Sequence, residues 1–351
     1  MKTKKTSSSH SLSHFFTNLT RVAILILCIS FANCLNAQTK SGSSVGSFKG
    51  LKGDGTSPGN PLEIATLDQL RIVSENPDCR VMHLALVADI DATATKNWNV
   101  ADHDNDDETP EVAMGFNPIG HFNSTQTRFS GSFEGNGYTI SNLYIYHQTG
   151  SGDYAGLFGT VETDWYIRNV NVSNVNFTCK SGGGLVNQFL KGYVKNCHTS
   201  GIVKGTGGSL GGLIGSIPSD DETNAIDIDN CTSSCDVTGG NPNVLVSNVG
   251  GLVGLAFAYS NDGEYISITN CSASGDISSY GGRIGGLLGS ASDSILVSNC
   301  IATGDVTGLS ACGGLIGDCD GMGTAQVINC YSSGNVSIIP NLDKPEPNRE
   351  I

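Results

Sequence analysis

The amino-acid sequence predicts an all-β chain wound into a parallel β-solenoid, and three observations carry that reading. One phrase recurs five times between Gly183 and Val336 with loops of varying length between copies. Apolar and polar residues alternate on both sides of it, which is the period of a strand. The composition is rich in glycine, 46 of 351 residues, but only 7% aromatic, which suits a long, thin core better than a round one.

The chain opens on Lys2, Lys4, Lys5 and Arg21, an apolar run from Val22 to Phe31, and Leu35-Asn36-Ala37. This is the layout of a secretory signal peptide over residues 1–37, cleaved near Ala37-Gln38. The apolar run is about half the roughly 20 residues that span a bilayer. No later run reaches that length, so the mature chain is expected to carry no transmembrane segment. Export places the protein outside the cell, secreted or at the cell surface. Loss of the four basic residues leaves 33 acidic against 15 basic ones, a formal charge of −18. Phosphate backbones are repelled by such a chain, which argues against nucleic acid as a partner.

Residues 38–60, rich in Gly, Ser and Lys, are expected to be a flexible lead. The segment 61–128 reads as an N-terminal cap. In it Thr66-Leu67-Asp68-Gln69 has the form of a helix capping box, with Leu67, Leu70, Ile72 and Val73 as the apolar side. A short helix is expected there, covering the open end of the solenoid, followed by a strand from Val81 to Ile90. Asp102, Asp104 and Asp106 alternate as calcium loops begin, with Asp107 and Glu108 beside them. The sixth position is Asp107 and the twelfth Ala113, so this is no EF-hand; calcium is weighed against a solvated loop. No other cofactor is indicated.

The β-helix itself is expected over residues 129–337. The first half of its phrase reads Gly183-Gly184-Leu185-Val186, Gly211-Gly212-Leu213-Ile214-Gly215, Gly250-Gly251-Leu252-Val253-Gly254, Gly285-Gly286-Leu287-Leu288-Gly289 and Gly313-Gly314-Leu315-Ile316-Gly317. The second half is an Asn-Cys pair: Asn196-Cys197, Asn230-Cys231, Asn270-Cys271, Asn299-Cys300 and Asn329-Cys330, with cysteines 34, 40, 29 and 30 residues apart. A fixed phrase with elastic spacing means stacked units with loops of variable length.

Apolar residues before the pair keep step with the Asn, as Ile226 and Ile228 do with Asn230; after it, small and apolar residues keep step with the Cys. The phase change predicts a corner with both side chains facing inward. Stacked Asn amides then form a ladder and the Cys thiols stay buried and unpaired, since residues in register point the same way rather than at each other. The pairing of Cys79, Cys179, Cys235, Cys312 and Cys319 is left open. Asp236, Asp276 and Asp305, with Asn335 in line, fall on the outward parity. There they either repel one another unless water or a cation screens them, or bond their own backbone in a turn. Past the last repeat, Pro340, Pro345 and Pro347 mark a Pro-rich tail over 338–351 that stops further coils from adding.

These residues resemble the GLUG-repeat family, named for its Gly-Leu-any-Gly phrase. The resemblance extends upstream to Phe129-Ser130-Gly131-Ser132-Phe133-Glu134-Gly135-Asn136-Gly137-Tyr138-Thr139-Ile140-Ser141-Asn142-Leu143, to Ala155-Gly156-Leu157-Phe158-Gly159 and to Ile167-Arg168-Asn169-Val170. It implies a β-helix domain of bacterial secreted or surface proteins. The sequence departs from the pattern at Asn187, in place of a final Gly, and at Cys235, in place of a Gly.

Enzyme readings fare poorly. Some immunoglobulin A-cleaving metallopeptidases carry such repeats, but their zinc phrase His-Glu-x-x-His is absent, and His83, His103, His121, His147 and His198 have no such spacing. Gly207-Gly208-Ser209-Leu210-Gly211 matches a nucleophile elbow outside the strand and helix context that elbow needs. The expectation is therefore a non-catalytic module that binds an extracellular glycan or protein. The loops Pro218–Asn224, Gly239–Ser247 and Tyr259–Gly263 decorate its lateral face. Two alternatives stand beside it: a polysaccharide-active lyase or hydrolase using loop carboxylates, and a structural spacer in a surface assembly.

Overall fold

Three parallel sheets wind around one core. The computed structural model describes residues 50–101, 112–120, 127–147, 154–218, 226–258, 266–292, 294–319 and 325–340. Residues 51–351 form one compact unit; the preceding unit ends at Gly50, its only described residue. The signal-peptide reading thus lies outside the described residues.

One coil shows how the phrase folds. Leu210–Gly211 adds a strand to a six-stranded third sheet; Gly212-Leu213 makes the next corner. Ile214–Pro218 and Ile226–Asp229 lie in the 13-stranded first sheet, and Thr232–Gly239 lies in the 12-stranded second sheet. Each strand pairs in parallel with its counterpart one coil on, Ile226 with Ile266, Val237 with Ile277 and Gly211 with Gly250. A one-residue slip would turn every core side chain outward, so the alternation and the register enforce each other. Columns of like residues result: Val194, Ile228, Ile268 and Val297 stack in the first sheet, all fully buried.

The Gly-Gly pair is explained across the core. A Cβ on Gly251 would stand 2.9 Å from the Cβ of Ala273, the small residue two places after Cys271, and would also meet the Gly286 carbonyl. Gly286 faces Ala302 at 3.0 Å in the same way. The two halves of the phrase thus touch, and glycine is required because no room for a side chain remains.

Several expectations are corrected. The Asn of each Asn-Cys pair faces outward: Asn196, Asn230, Asn270, Asn299 and Asn329 are exposed, with φ of 51° to 55°. A left-handed residue interrupts strand alternation, so the inward position passes to the Cys alone; Asn tolerates that conformation better than most residues. Cys197, Cys231, Cys271 and Cys300 are buried free thiols, whereas Cys330 is only half-buried because it lies in the last described coil. The region expected as a Val81–Ile90 strand is a 3-10 turn, Pro77–Val81, then short strands Leu84–Leu86 and Ile90–Asp91. The chain turns between them from the first sheet to the second.

The flexible lead is shorter than expected, since Lys52 bridges Glu63 and the Gly55 carbonyl accepts the His83 N–H at 2.9 Å. The capping box is present: Thr66 accepts from Gln69 and caps the helix Leu67–Glu75, which buries Leu70 and Val73. That cap is continuous with the solenoid, because Leu62–Ile64 and Leu84–Leu86 begin the first sheet itself.

The two departures from the phrase sit inside strands. Asn187 is buried within the strand Val186–Lys195 and its Oδ1 has no partner. Cys235 is buried in the unbroken strand Thr232–Gly239, whereas Gly275 and Gly304 interrupt the matching segments above it.

Candidate ligand-binding strip on the first sheet

The outer face of the first sheet carries an aromatic and charged strip near the start of the repeats. Tyr166 and Tyr193 are register partners on successive coils, and Arg168 and Lys195 are partners beside them. Each aromatic lies three residues before its corner asparagine, Asn169 or Asn196, so both side chains take the outward parity while Ile167 and Val194 point into the core. The Arg168 guanidinium lies 4.0 Å from the Tyr166 ring centroid, and Lys195 Nζ lies 5.8 Å from that of Tyr193. A cation over each ring orients it.

A bulge adds a third aromatic. Between the pairs Glu162 with Lys191 and Tyr166 with Tyr193, the residues Thr163, Asp164 and Trp165 stand opposite the single Gly192. Such an insertion re-aims side chains outward. Thr163 Oγ1 holds the bulge, donating toward the Gly131 carbonyl at 2.7 Å and accepting the Trp165 N–H at 3.0 Å. Trp165 is consequently 42% exposed and Tyr193 43%. Trp165 rests edge-on against the nearly buried His83, with ring centroids 4.7 Å apart. Burial depresses the His83 pKa.

Ion pairs neutralise the strip. Arg168 Nε lies 2.5 Å from Glu134 Oε2, Lys195 Nζ lies 2.9 Å from Asp227 Oδ2, and Lys191 Nζ lies 2.6 Å from Asp164 Oδ1. Burial opposes ionisation of Glu134, yet hydrogen bonds from Asn169, Arg168 and the Asn136 N–H outweigh it and hold its carboxyl below the ordinary range. The hydrogen bond to Asp227 raises the Lys195 pKa against the opposing effect of burial, aided by the charges of Asp227 and Asp229. Glu134 and Lys195 therefore both stay charged at neutral pH, held in place by partners. Ring faces beside fixed charges, with little net charge, suit a ligand that is polar at its edges and apolar on its faces.

Other predicted residues fall elsewhere. Asp102, Asp104 and Asp106 lie outside the described residues; among those described, no group of three or more His, Cys, Asp or Glu side chains could hold a metal. The Asn ladder runs up the edge between the first and second sheets. Asn169 donates to Glu134, Asn196 to Asn169 and Asn230 to Asn196, each at 2.8 Å, and Asn299 donates to Asn270 at 3.2 Å. Asn329 donates to Asn299 at 3.4 Å. The thiols form an inner ladder beside it: Cys231, Cys271, Cys300 and Cys330 each donate to a carbonyl of the coil below.

The Asp column does neither of the things expected of it. The Asp236 carboxylate accepts the N–H of Asp276, Asp276 that of Asp305 and Asp305 that of Asn335, at 3.0, 3.0 and 2.7 Å. Each side chain thus caps the backbone of the next coil.

The described residues that flank the three decorating loops do not all belong to one sheet. The insertions at 219–225 and 259–265 interrupt the first sheet at matching points, because Pro218 pairs with Phe257 and Ile226 with Ile266; the loops themselves lie outside the described residues. The 239–247 segment instead joins the second sheet to the third, closed by the Asn241–Val244 bridge. The aromatic strip escaped sequence reasoning altogether. Its signal was the shared offset of Tyr166 and Tyr193 from Asn169 and Asn196.

The fold defines a class, a parallel β-solenoid whose coils carry a repeated Gly-Gly phrase. The family described as "The GLUG motif" matches residues 246–278, the coil around the Gly250-Gly251 phrase. The chain is 36% identical over 165 residues to Halomucin of Haloquadratum walsbyi, a match covering 46% of this chain and 2% of that protein. It is 34% identical over 134 residues to a protein of Evansella cellulosilytica provisionally named a Gly-rich membrane protein, covering 38% and 13%. The chain therefore spans a small fraction of the curated relatives it matches. Among solved structures it resembles a Bacteroides ovatus protein provisionally described as an immunoglobulin A1 protease. The TM-score is 0.59 at 23% identity, covering 80% of this chain and 78% of that one. At that identity the likeness establishes the shared fold. Among the described residues, no helix is long and apolar enough to cross a membrane.

Proposed function

We propose that this protein is an exported, non-catalytic recognition module that binds an extracellular glycan along the outer face of its first sheet. The observation that carries the reading is the pairing of Tyr166 with Tyr193 on successive coils, with Trp165 bulged beside them and Arg168 and Lys195 flanking them. Exposed aromatic side chains supply large contact area with few rotatable bonds, and clustered aromatic and Arg side chains are where binding energy concentrates. Sugar rings offer apolar C–H faces to such side chains and hydroxyl edges to the fixed charges. Parallel coils repeat about every 4.8 Å, so the platform extends along the solenoid rather than enclosing a pocket.

A second reading, a polysaccharide-active enzyme, has one observation in its favour: Asp227 and Asp229 share the outward side of one strand. Both are already engaged, Asp227 by Lys195 and Asp229 by Thr269 Oγ1 and the Asn270 amide. A carboxylate held in this way is poorly placed to exchange a proton with substrate.

The deciding experiment is a glycan-array screen of residues 38–351, with calcium and with chelator, reading the bound glycans by mass. Intact glycans on the wild type and loss of binding in Tyr166→Ala and Tyr193→Ala support recognition at the strip. Shortened glycans favour the enzyme. Loss of binding under chelator points to a cation role for the Asp102, Asp104 and Asp106 loop, which D102A/D104A/D106A then tests.

A further inference from the structure

The outer face of the second sheet carries a pocket of its own, about 320 Å³ in volume. Its floor is a column of register partners on three successive coils, Tyr144, Asn176 and Ile202, which take the outward parity while Ile145, Phe177 and Val203 point into the core. Beside that column the regular strand path is interrupted. Asn142 and Asn174 are left-handed, with φ of 62° and 52°, and Ser173 and Asn174 stand together opposite the single Ser200. Such a bulge bends the strand and re-aims its side chains. The 3-10 turn Thr93–Asn97 supplies a wall, carrying Thr93 and Lys96. It is fixed to the sheet by the buried Thr95, which accepts the Tyr144 N–H at 3.0 Å and donates to the Ala92 carbonyl at 2.7 Å.

The polar groups of this pocket are left open by the fold. Lys96 is in no ion pair among the described residues, whereas Arg168, Lys191 and Lys195 on the first sheet are each paired. Asp91 feels the charge of Lys96, but its Oδ1 is taken by the Thr93 N–H at 3.0 Å and the Asn142 amide at 2.9 Å. Asp236, the next member of the column after Ile202, accepts the Asp276 N–H. Asn174 donates its amide to Asn142 Oδ1 at 2.6 Å, which leaves its own Oδ1 open. Among the described residues, neither the Tyr144 hydroxyl nor the Asn176 side chain has a hydrogen-bond partner. Burial raises the Tyr144 pKa, with Tyr146 adding to the effect, so the phenol stays a donor at neutral pH.

A concavity of this size with a few open polar groups has the dimensions of a small-ligand site. Its chemistry narrows the ligand. An unpaired ammonium favours an anion, and a charge-assisted hydrogen bond is the strong kind. The Tyr144 ring and Ile202, 37% exposed, suit an apolar face, while the amides and the phenol suit hydroxyl groups at its edge. We propose that this pocket is a separate subsite for an acidic sugar, whose carboxylate pairs with Lys96 while its hydroxyl groups meet Tyr144, Asn174 and Asn176. The subsite is built on another sheet and uses neither Tyr166 nor Tyr193, so it can fail while the strip holds.

Titration of residues 38–351 with methyl glucuronide, methyl galacturonide, methyl glucoside and acetate, followed by backbone amide signals, tests this. At least one uronide is expected to bind about tenfold or more tighter than both the glucoside and acetate, with shifts centred on Lys96, Tyr144 and Asn176. Lys96→Met removes that preference and Lys96→Arg keeps most of it, with the far-ultraviolet spectrum unchanged in both. Uronides no tighter than the glucoside overturn the proposal. Acetate binding as tightly as the uronides also overturns it, by showing a bare cation and no sugar site. So does a preference that survives Lys96→Met, and so do shifts at Tyr166 and Tyr193 instead, which place the acidic sugar on the strip.

Discussion

Asn270 donates its side-chain amide to Asp229 Oδ1 at 2.8 Å instead of reaching Asn230, its counterpart one coil below. Asp229 also accepts Thr269 Oγ1 at 3.0 Å, so one carboxylate carries the ladder across the longest repeat. Replacing Asp229 by Ala removes both acceptor contacts and is expected to cost about 1–2 kcal/mol, hydrogen bonds to a charged group being stronger than neutral ones but partly solvated here. Urea unfolding checks it; a loss no larger than that of D164A, at an exposed ion pair, would mean that Asp229 is not a link in the ladder.

Conformation and hydrogen bonding at the corner separate in a second pair of variants. Asn196 has φ 52°, donates to Asn169 and accepts from Asn230. Asn196→Ala loses the bonds and strains the backbone, for about 2–3 kcal/mol, whereas Asn196→Gly keeps the left-handed conformation and costs about 1 kcal/mol. Equal losses would show that backbone conformation is not what selects Asn.

The contact between Gly251 and Ala273 predicts that Gly251→Ala is destabilising by about 2–3 kcal/mol through overpacking. Ala273→Gly in the same chain should recover only part of this, because the Gly286 carbonyl also blocks the new methyl. Full recovery in the double variant would place the whole clash at Ala273.

Stability should fall at both ends of the pH scale. Burial, with Asp78 nearby, pushes the Cys79 thiol up to about 12 from 9.0, and burial also raises Cys231. A raised folded pKa gives stability that is complete below the unfolded value and is lost as pH climbs from about 9 toward 12. His83 has the opposite sense: its depressed pKa means that stability is present above 6.5 and is lost as pH falls below it. Unfolding across pH, with His83→Gln flattening the acid limb between 6.5 and the carboxylate range, is the measurement. An unchanged acid limb in that variant would remove His83 from the account.

Thiol reactivity should follow burial along the column. Native alkylation is expected to modify the exposed Cys319 first, while Cys197, Cys231, Cys271 and Cys300 react only after unfolding. Mass spectrometry counts the labels; oxidised pairs among those four would contradict the inner ladder.

Ligand binding, if the strip is the site, should depend on Tyr193 far more than stability does. Tyr193→Ala is expected to weaken glycan binding more than tenfold, while its unfolding free energy changes by about 0.5 kcal/mol or less, as at other exposed positions. Parallel losses of binding and stability would make Tyr193 structural.

The repeat, its strand parity and the position of the helix cap were legible from the chain alone, because period and capping are local properties of neighbouring residues. Ile226, Ile228 and Cys231 could be placed in the core from the sequence. The direction of Asn230 could not, since it hangs on one left-handed φ that parity does not encode. Nor could the partner of Gly251, which lies across the core at Ala273, or the capping of Asp276 N–H by Asp236, which exists only once the coils stack in register. Tyr166 and Tyr193 lie 27 residues apart in the chain and become one surface only through that stacking. Sequence by itself determined the class of coil and the inward place of its Ile, Val and Cys residues; tertiary structure decided the direction of the corner Asn and the neighbours on the outward face. Core positions repeat with the backbone period, whereas outer neighbours depend on how much chain separates one coil from the next.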